Sequence, residues 1–117
     1  MRYKKAGYND TALDGNARSI LEPERLRSGR TFWLRGLVIS NEHASAIAVV
    51  EIYNEEEAAT PTTPTAGNQR LNIQVAPQDT VAIDFPAPGI KFTAGPSAVQ
   101  TGGTVAAYSV YATGYEE

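Results

Sequence analysis

The sequence predicts an all-β protein, an antiparallel β-sandwich of jelly-roll or immunoglobulin-like type, and three observations predict it. From residue 30 onward the 117-residue chain is a succession of short runs rich in Val, Ile, Thr, Phe and Tyr, residue types that suit a pleated, half-buried surface. Gly, Pro, Asn and Asp separate these runs at short intervals, and no segment reads as a convincing helix. The third observation is the corner Asp84-Phe85-Pro86-Ala87-Pro88-Gly89 before Ile90-Lys91-Phe92. Proline lacks an N–H and fixes its own φ, so Pro86 and Pro88 belong where a sheet ladder is interrupted, and Gly89 permits the reversal.

Residues 1 to 28 carry no sustained period. Gly7, Asn9-Asp10, Asp14-Gly15-Asn16 and Pro23 interrupt local order, and the segment reads as an extended N-terminal arm. Within it, Ser19-Ile20-Leu21 is a candidate short strand and Glu22-Pro23-Glu24-Arg25-Leu26 a candidate helical turn. Fully extended, such an arm spans on the order of 90 Å at about 3.3 Å per residue, enough to cross a neighbouring molecule. The expected division is an arm over 1–28 and a sandwich domain over 29–117; at this length two domains do not fit.

Thr31 to Ser40 is the longest strand candidate. Strict alternation puts Phe32, Leu34, Gly36 and Val38 on one face and Trp33, Arg35, Leu37 and Ile39 on the other, so both faces are largely apolar. A sandwich strand ordinarily has one wet face, which places this one centrally, with its outer face covered by the arm or by another subunit. Asn41-Glu42-His43-Ala44-Ser45 then turns into Ala46 to Tyr53, and the two strands read as an antiparallel hairpin. Residues 54 to 68 hold three glutamates and a Thr/Pro/Ala run that suits neither a helix nor a central strand, and read as an exposed, mobile loop. Leu71, Ile73 and Val75, then Val81, Ile83 and Phe85, alternate cleanly with polar or small residues. After the corner come Ile90 to Thr93 and Ser97 to Gln100, then a Gly-Gly turn over Thr101-Gly102-Gly103-Thr104 into Val105 to Ala112.

Charge is unevenly distributed. Residues 1 to 35 hold eight basic and four acidic side chains, whereas residues 36 to 117 hold two basic and nine acidic ones. A basic lead on an acidic body is the pattern of an arm that docks on an acidic surface or nucleic acid, or of a solvated tail. Against nucleic acid stands an overall pI near 5.1, although Tyr3 and Tyr8 in the lead could stack on bases. The absence of cysteine excludes disulfides and thiolate metal sites. The N-terminus lacks a signal-like apolar run and no segment approaches the roughly 20 apolar residues of a membrane span, so the expectation is a product made in the cytoplasm.

No catalytic constellation is legible. His43, the one histidine, stands beside Glu42 in an expected turn with no nucleophile motif nearby. Glu55-Glu56-Glu57 with Asp79 or Asp84 lacks the ligand spacing of a calcium loop and reads as a solvated acidic turn. The acids are too scattered for a glycosidase pair. Asn9-Asp10-Thr11 matches a glycosylation sequon by chance. Trp33, Phe32, Tyr53, Tyr108 and Tyr111 are candidates for a carbohydrate platform, but aromatic residues at strand spacing more often serve core or subunit contact. The reading is a non-enzymatic protein without cofactor or metal.

The succession Leu34-Arg35-Gly36-Leu37-Val38-Ile39-Ser40-Asn41, Ala48-Val49-Val50-Glu51-Ile52-Tyr53-Asn54, Leu71-Asn72-Ile73-Gln74-Val75-Ala76-Pro77, Thr80 to Pro86 and Gly89 to Gly95 resembles the small β-sandwich virion proteins of tailed bacteriophages. The likeness spans about residues 34 to 112 and is one of strand order and corner chemistry. It implies a capsid decoration (cement) protein on the outer surface of the head, associated as a homo-oligomer, commonly a trimer, and bound to the major capsid protein. The alternative it implies is a head-fibre or tail receptor-binding domain contacting host glycan. In the decoration reading, Lys4, Lys5, Arg18, Arg25, Arg27 and Arg30 meet acidic capsid surface, and Trp33, Leu37 and Ile39 form an apolar subunit contact.

Overall fold

A computed structural model describes residues 2–9, 14–101 and 108–117. Residues 102–104 of the expected Gly-Gly turn at Thr101-Gly102-Gly103-Thr104, the start of the last strand at 105–107 and the Asp10-Thr11 part of the sequon lie outside the described residues. The described residues form strands β1 (Tyr3–Asn9), β2 (Arg18–Ser19), β3 (Phe32–Asn41), β4 (Ala48–Tyr53), β5 (Gln69–Val75), β6 (Thr80–Asp84), β7 (Ile90–Phe92), β8 (Ser97–Thr101) and β9 (Tyr108–Glu116), with one 3-10 turn at Ala66–Asn68 and no α-helix. Every strand pairing is antiparallel. One sheet runs β1-β9-β3-β6, with β7 continuing along the β6 edge of β3, and the other runs β2-β8-β4-β5. The chain changes sheet at almost every connection, and its first and last strands are neighbours. This is the jelly-roll alternative and not the immunoglobulin one.

The core lies between the sheets. Phe32, Leu34, Leu37, Ile39, Val110 and Ala112 of the larger sheet meet Ala48, Val50, Ile52, Val75 and Ala98 of the smaller one, all fully or almost fully buried. Phe32 and Phe92 pack as a tilted pair with ring centroids 6.5 Å apart. Burying each large apolar side chain contributes about 1.5–3 kcal/mol.

β3 corrects the expectation of two apolar faces. Its register with β9 steps from Leu34↔Gly114 to Gly36↔Thr113, so Arg35 is an extra residue in a β-bulge. A bulge shifts the alternation by one. The core face is therefore Phe32 and Leu34 before the bulge and Leu37, Ile39 and Asn41 after it. The apolar residues on both nominal faces come from this phase slip, and nothing further is needed to cover the strand. The opposite edge of β3 shows the partner feature: it pairs Gly36 with Asp84 of β6 and Leu34 with Ile90 of β7, and the proline corner fills the gap. Phe85 N–H donates to Arg35 O (2.8 Å), and Arg35 Nε donates back to Phe85 O (2.9 Å). Gly89 has φ +99°, and a β-carbon there would collide with Leu34 O, so the corner requires glycine.

The N-terminal residues do not form a projecting arm. β1 pairs with β9 at seven successive positions, from Tyr3↔Glu116 to Asn9↔Val110. Ile20 and Leu21 are fully buried in the core. Gly7 permits their approach, because a β-carbon on it would collide with Leu21 Cα and Ile20 O. Asn9 Nδ2 donates to Ser19 O (2.7 Å) and Tyr8 N–H to Glu22 O (3.2 Å). The division at residue 28 thus separates two parts of one sandwich.

β3 and β4 also differ from expectation, since they lie in different sheets. The connection crosses between layers around Asn41, whose Nδ2 donates to Ala46 O (2.9 Å) and Val75 O (3.1 Å). The pair that does form is β4 with β5. The loop between them is tied down: Thr62 O accepts Ala17 N–H (2.9 Å), Asn68 O accepts Asn54 N–H (2.8 Å), and Glu55 Oε2 accepts Thr65 N–H (2.5 Å).

Candidate functional site

The two sheets treat their outer faces differently. On the smaller sheet Glu51, Tyr53 and Val99 point away from the core side yet are buried, at 9%, 6% and 2% exposure. Tyr53 OH donates to Glu51 Oε1 (3.2 Å), and burial first, then the Glu51 charge, pushes the Tyr53 phenol above its ordinary value of 10.0. The segments bonded along this side include Ser19, whose N–H donates to Glu57 Oε2 (2.7 Å), and Ser97, whose hydroxyl donates to Glu55 O (2.6 Å).

The outer face of the larger sheet is open. Strand pairing aligns its outward residues in rows: Lys4, Tyr115, Trp33 and Lys91; then Ala6, Thr113, Gly36 and Asp84; then Tyr8, Tyr111, Val38 and Ala82. Tyr8 and Tyr111 stand directly opposite one another and are 45% and 43% exposed. The small middle row leaves a shallow groove of about 460 Å³ whose lining includes Lys4, Ala6, Arg35, Tyr111, Thr113 and Tyr115. At one end, Arg2 Cζ lies 5.2 Å from the Tyr115 ring centroid and Lys91 Nζ 6.0 Å from that of Trp33. Trp33 Nε1 donates to Glu117 Oε2 (3.1 Å), which fixes the indole. The face thus offers aromatic surface, small residues and a cationic border, a combination suited to contact.

The basic residues of the lead have largely internal roles. Glu116, 3% exposed on β9, accepts from Arg27 Nε (3.0 Å) and Nη2 (2.6 Å), with Lys5 Nζ at 3.6 Å. Burial pushes the Glu116 carboxyl up, but the Arg27 side-chain and backbone hydrogen bonds and the Lys5 and Arg27 charges outweigh it and hold the group below its usual 4.5. Arg18 Nη2 binds Asp14 Oδ2 (2.9 Å), and this hydrogen bond lowers the Asp14 pKa despite partial burial. Arg25 bridges Glu22 (2.6 Å) and Glu57 (3.4 Å), and Arg2 meets Glu117 (2.8 Å). Lys4 and Arg30 are exposed, with no ion pair among the described residues. Arg2, Lys5, Arg18, Arg25 and Arg27 of the basic lead thus meet acidic groups of the protein itself.

Of the expected apolar contact residues, Trp33 is half-buried on the open face, but Leu37 and Ile39 are 1% and 0% exposed. The bulge turns both into the core, so they pack within the subunit. Phe32 and Tyr53 are likewise buried; of the other platform candidates Trp33 and Tyr111 lie on the open face, and the Tyr108 side chain lies outside the described residues. Tyr8 had a different expected role, and the β1–β9 pairing brings it to Tyr111.

Of the candidate acid–base residues, His43, Glu55 and Glu57 hold backbone groups in place. His43 Nδ1 accepts the backbone N–H groups of Ser45 (3.0 Å) and Ala46 (2.8 Å), so it organises its turn. Glu55 and Glu57 hold backbone N–H groups, which replaces the expected solvated acidic turn by structural anchors. Among the described residues no group of three His, Cys, Asp or Glu side chains is placed to hold a metal ion, and no helix is long and apolar enough to cross a membrane. No protein-family model matches the chain, and no curated protein matches it.

Proposed function

We propose that this chain is a structural virion protein of a tailed bacteriophage, a capsid decoration protein that stabilises the head by protein–protein contact through the outer face of its larger sheet. The observation that carries the reading is the Tyr8–Tyr111 pair, exposed on a sheet face whose counterpart on the other sheet is buried. Exposed aromatics above a floor of small residues are the composition of an interface centre, where a few such side chains supply most of the binding energy. The partner is the major capsid protein. Because Lys5, Arg18, Arg25 and Arg27 already have acidic partners, Lys4, Arg30, Arg35 and Lys91 are among the cations left to meet an acidic capsid surface. The homotrimer implied by the resemblance remains part of this proposal.

The test uses phage heads with and without the protein. Heads lacking it should lose tolerance to heat and low salt, and added protein should restore it, whereas a Tyr8→Ser, Tyr111→Ser double variant should not. Equal tolerance with and without the protein defeats the proposal. A second reading, a fibre or receptor-binding domain that stacks host glycan on Tyr8 and Tyr111, draws on the same pair. It predicts binding to host cells and none to empty heads.

A further inference from the structure

We propose that the groove on the larger sheet's outer face takes a short extended segment of the partner protein in which carboxylate and apolar side chains alternate. This rests on the reading of that face as the contact surface, and adds the chemistry of the segment that lies in it.

The groove crosses the strands, with Ala6, Thr113 and Gly36 in one row as its floor. The rows of Tyr115 and Tyr111 flank that floor, and at four residues along β9 they stand about 13 Å apart at about 3.3 Å per residue. One extended chain with its side chains occupies about 10 Å, the distance at which sheets pack, so the groove admits a single chain. Its two walls differ in kind. One carries Lys4 on β1, Arg35 at the β3 bulge and Lys91 on β7, and cations overlie the rings between them, Arg2 on Tyr115 and Lys91 on Trp33. The other, made by Tyr8, Tyr111 and Val38, carries no charge.

An extended chain sends successive side chains to opposite sides. A segment lying along the floor therefore meets the cationic wall with one set of side chains and the uncharged wall with the other. Neighbouring strands lie about 4.8 Å apart, which puts Lys4 and Lys91 about 14 Å apart across β9 and β3, and carboxylates at positions i, i+2 and i+4 of an extended chain span about 13 Å. Charge fixes the sign of the occupant. Lys4, Arg35 and Lys91 have no ion pair among the described residues, whereas Glu117 is already bound by Arg2 (2.8 Å) and by Trp33 Nε1 (3.1 Å). The face's other carboxylate, Asp84, stands at the β6 end of the floor row, where it opposes a longer acidic run. A cationic row on a chain of net charge −3 is a local reversal that draws an acidic partner. A nucleic-acid strand, charged at every residue, would also set phosphates against the wall of Tyr8, Tyr111 and Val38 and fits the two walls less well.

An NMR titration of the full chain tests this, with the amides of Lys4, Ala6 and Thr113 reading the groove and those of Asn72 and Gln74 on the other sheet as control. The probe is the capped peptide Gly-Glu-Val-Glu-Val-Glu-Gly. It should shift the groove amides and not the control ones, with a Kd roughly 2- to 10-fold lower than that of Gly-Glu-Glu-Glu-Val-Val-Gly, which has the same composition without the alternation. Lys4→Glu and Lys91→Glu, both at exposed positions, should each raise that Kd by roughly 2- to 30-fold, with circular dichroism checking that the variants are folded. Silence of the groove amides at about 5 mM peptide, where even a mM Kd fills most sites, would overturn the proposal. So would equal Kd values for the two peptides, or tighter binding of an oligothymidylate of equal length at the same amides. Phage heads separate this from the decoration role. Heads stabilised as well by the Lys4→Glu, Lys91→Glu double variant as by wild type would remove the acidic segment and keep the decoration role, whereas heads indifferent to the protein would remove the capsid as partner and leave the peptide preference standing.

Discussion

The outer faces of the two sheets are built from similar strands and end in opposite states. On the smaller sheet, Val99, Tyr53 and Glu51 are buried under the chain's own covering. On the larger sheet, Tyr8 and Tyr111 stand nearly half exposed beside Val38, Ala6 and Ala82. The difference teaches where the N-terminal residues act. They are not held in reserve for a partner: residues 3–9 extend the larger sheet, residues 18–21 join the smaller sheet and close the core, and the cations between them neutralise Glu116 and Glu57. The covered regions should therefore answer to substitution in stability, and the open face in binding.

The largest effect that would break the comparison lies at Leu21. Leu21→Ala should cost about 2–5 kcal/mol of stability, as for other fully buried leucines, read by chemical denaturation. A projecting arm would show almost no change. Gly89→Ala should follow at roughly 1–3 kcal/mol, because it strains a left-handed position and presses on Leu34 O. Melting that matches wild type would sever the corner from the bulge.

Glu116→Gln should cost about 1–3 kcal/mol at neutral pH by removing a buried acceptor of charge-assisted hydrogen bonds. Its signature is in the pH dependence. The folded-state pKa of Glu116 is depressed below its ordinary 4.5, so its contribution is fully present above about that pH and is lost as pH falls through the lower folded value. Asp14, held low chiefly by the Arg18 hydrogen bond, acts in the same sense. Wild-type stability should fall with acidification in this window, and the fall should be shallower in Glu116→Gln. The smallest stability effect belongs to Tyr8→Ser with Tyr111→Ser, expected within about 0.5 kcal/mol per site. A large loss of stability there would make the open face part of the fold.

How much of this was legible in the sequence depends on where the period-2 pattern survives. β5 and β6 read directly because Leu71, Ile73 and Val75, then Val81 and Ile83, alternate without interruption. β3 read as doubly apolar because Arg35 adds one residue, and a bulge is not visible without the partner strand. β1 was missed because its core side carries Lys5, Gly7 and Asn9 in place of apolar residues. There Glu116, Leu21 and Ser19 supply the charge, contact and carbonyl that make those residues fit. The charge asymmetry was legible, but not that its two halves meet within one molecule. The Tyr8–Tyr111 pair joins opposite ends of the chain, so only the β1–β9 register reveals it.

The central claim is that the larger sheet's outer face is the working surface, and tyrosine oxidation footprinting tests it most directly. In the isolated protein Tyr8 and Tyr111 should label readily and Tyr53 slowly. On assembled heads Tyr8 and Tyr111 should become protected together, with Tyr53 unchanged. Labelling of Tyr8 and Tyr111 at the free-protein rate on particles that carry the protein would contradict the account.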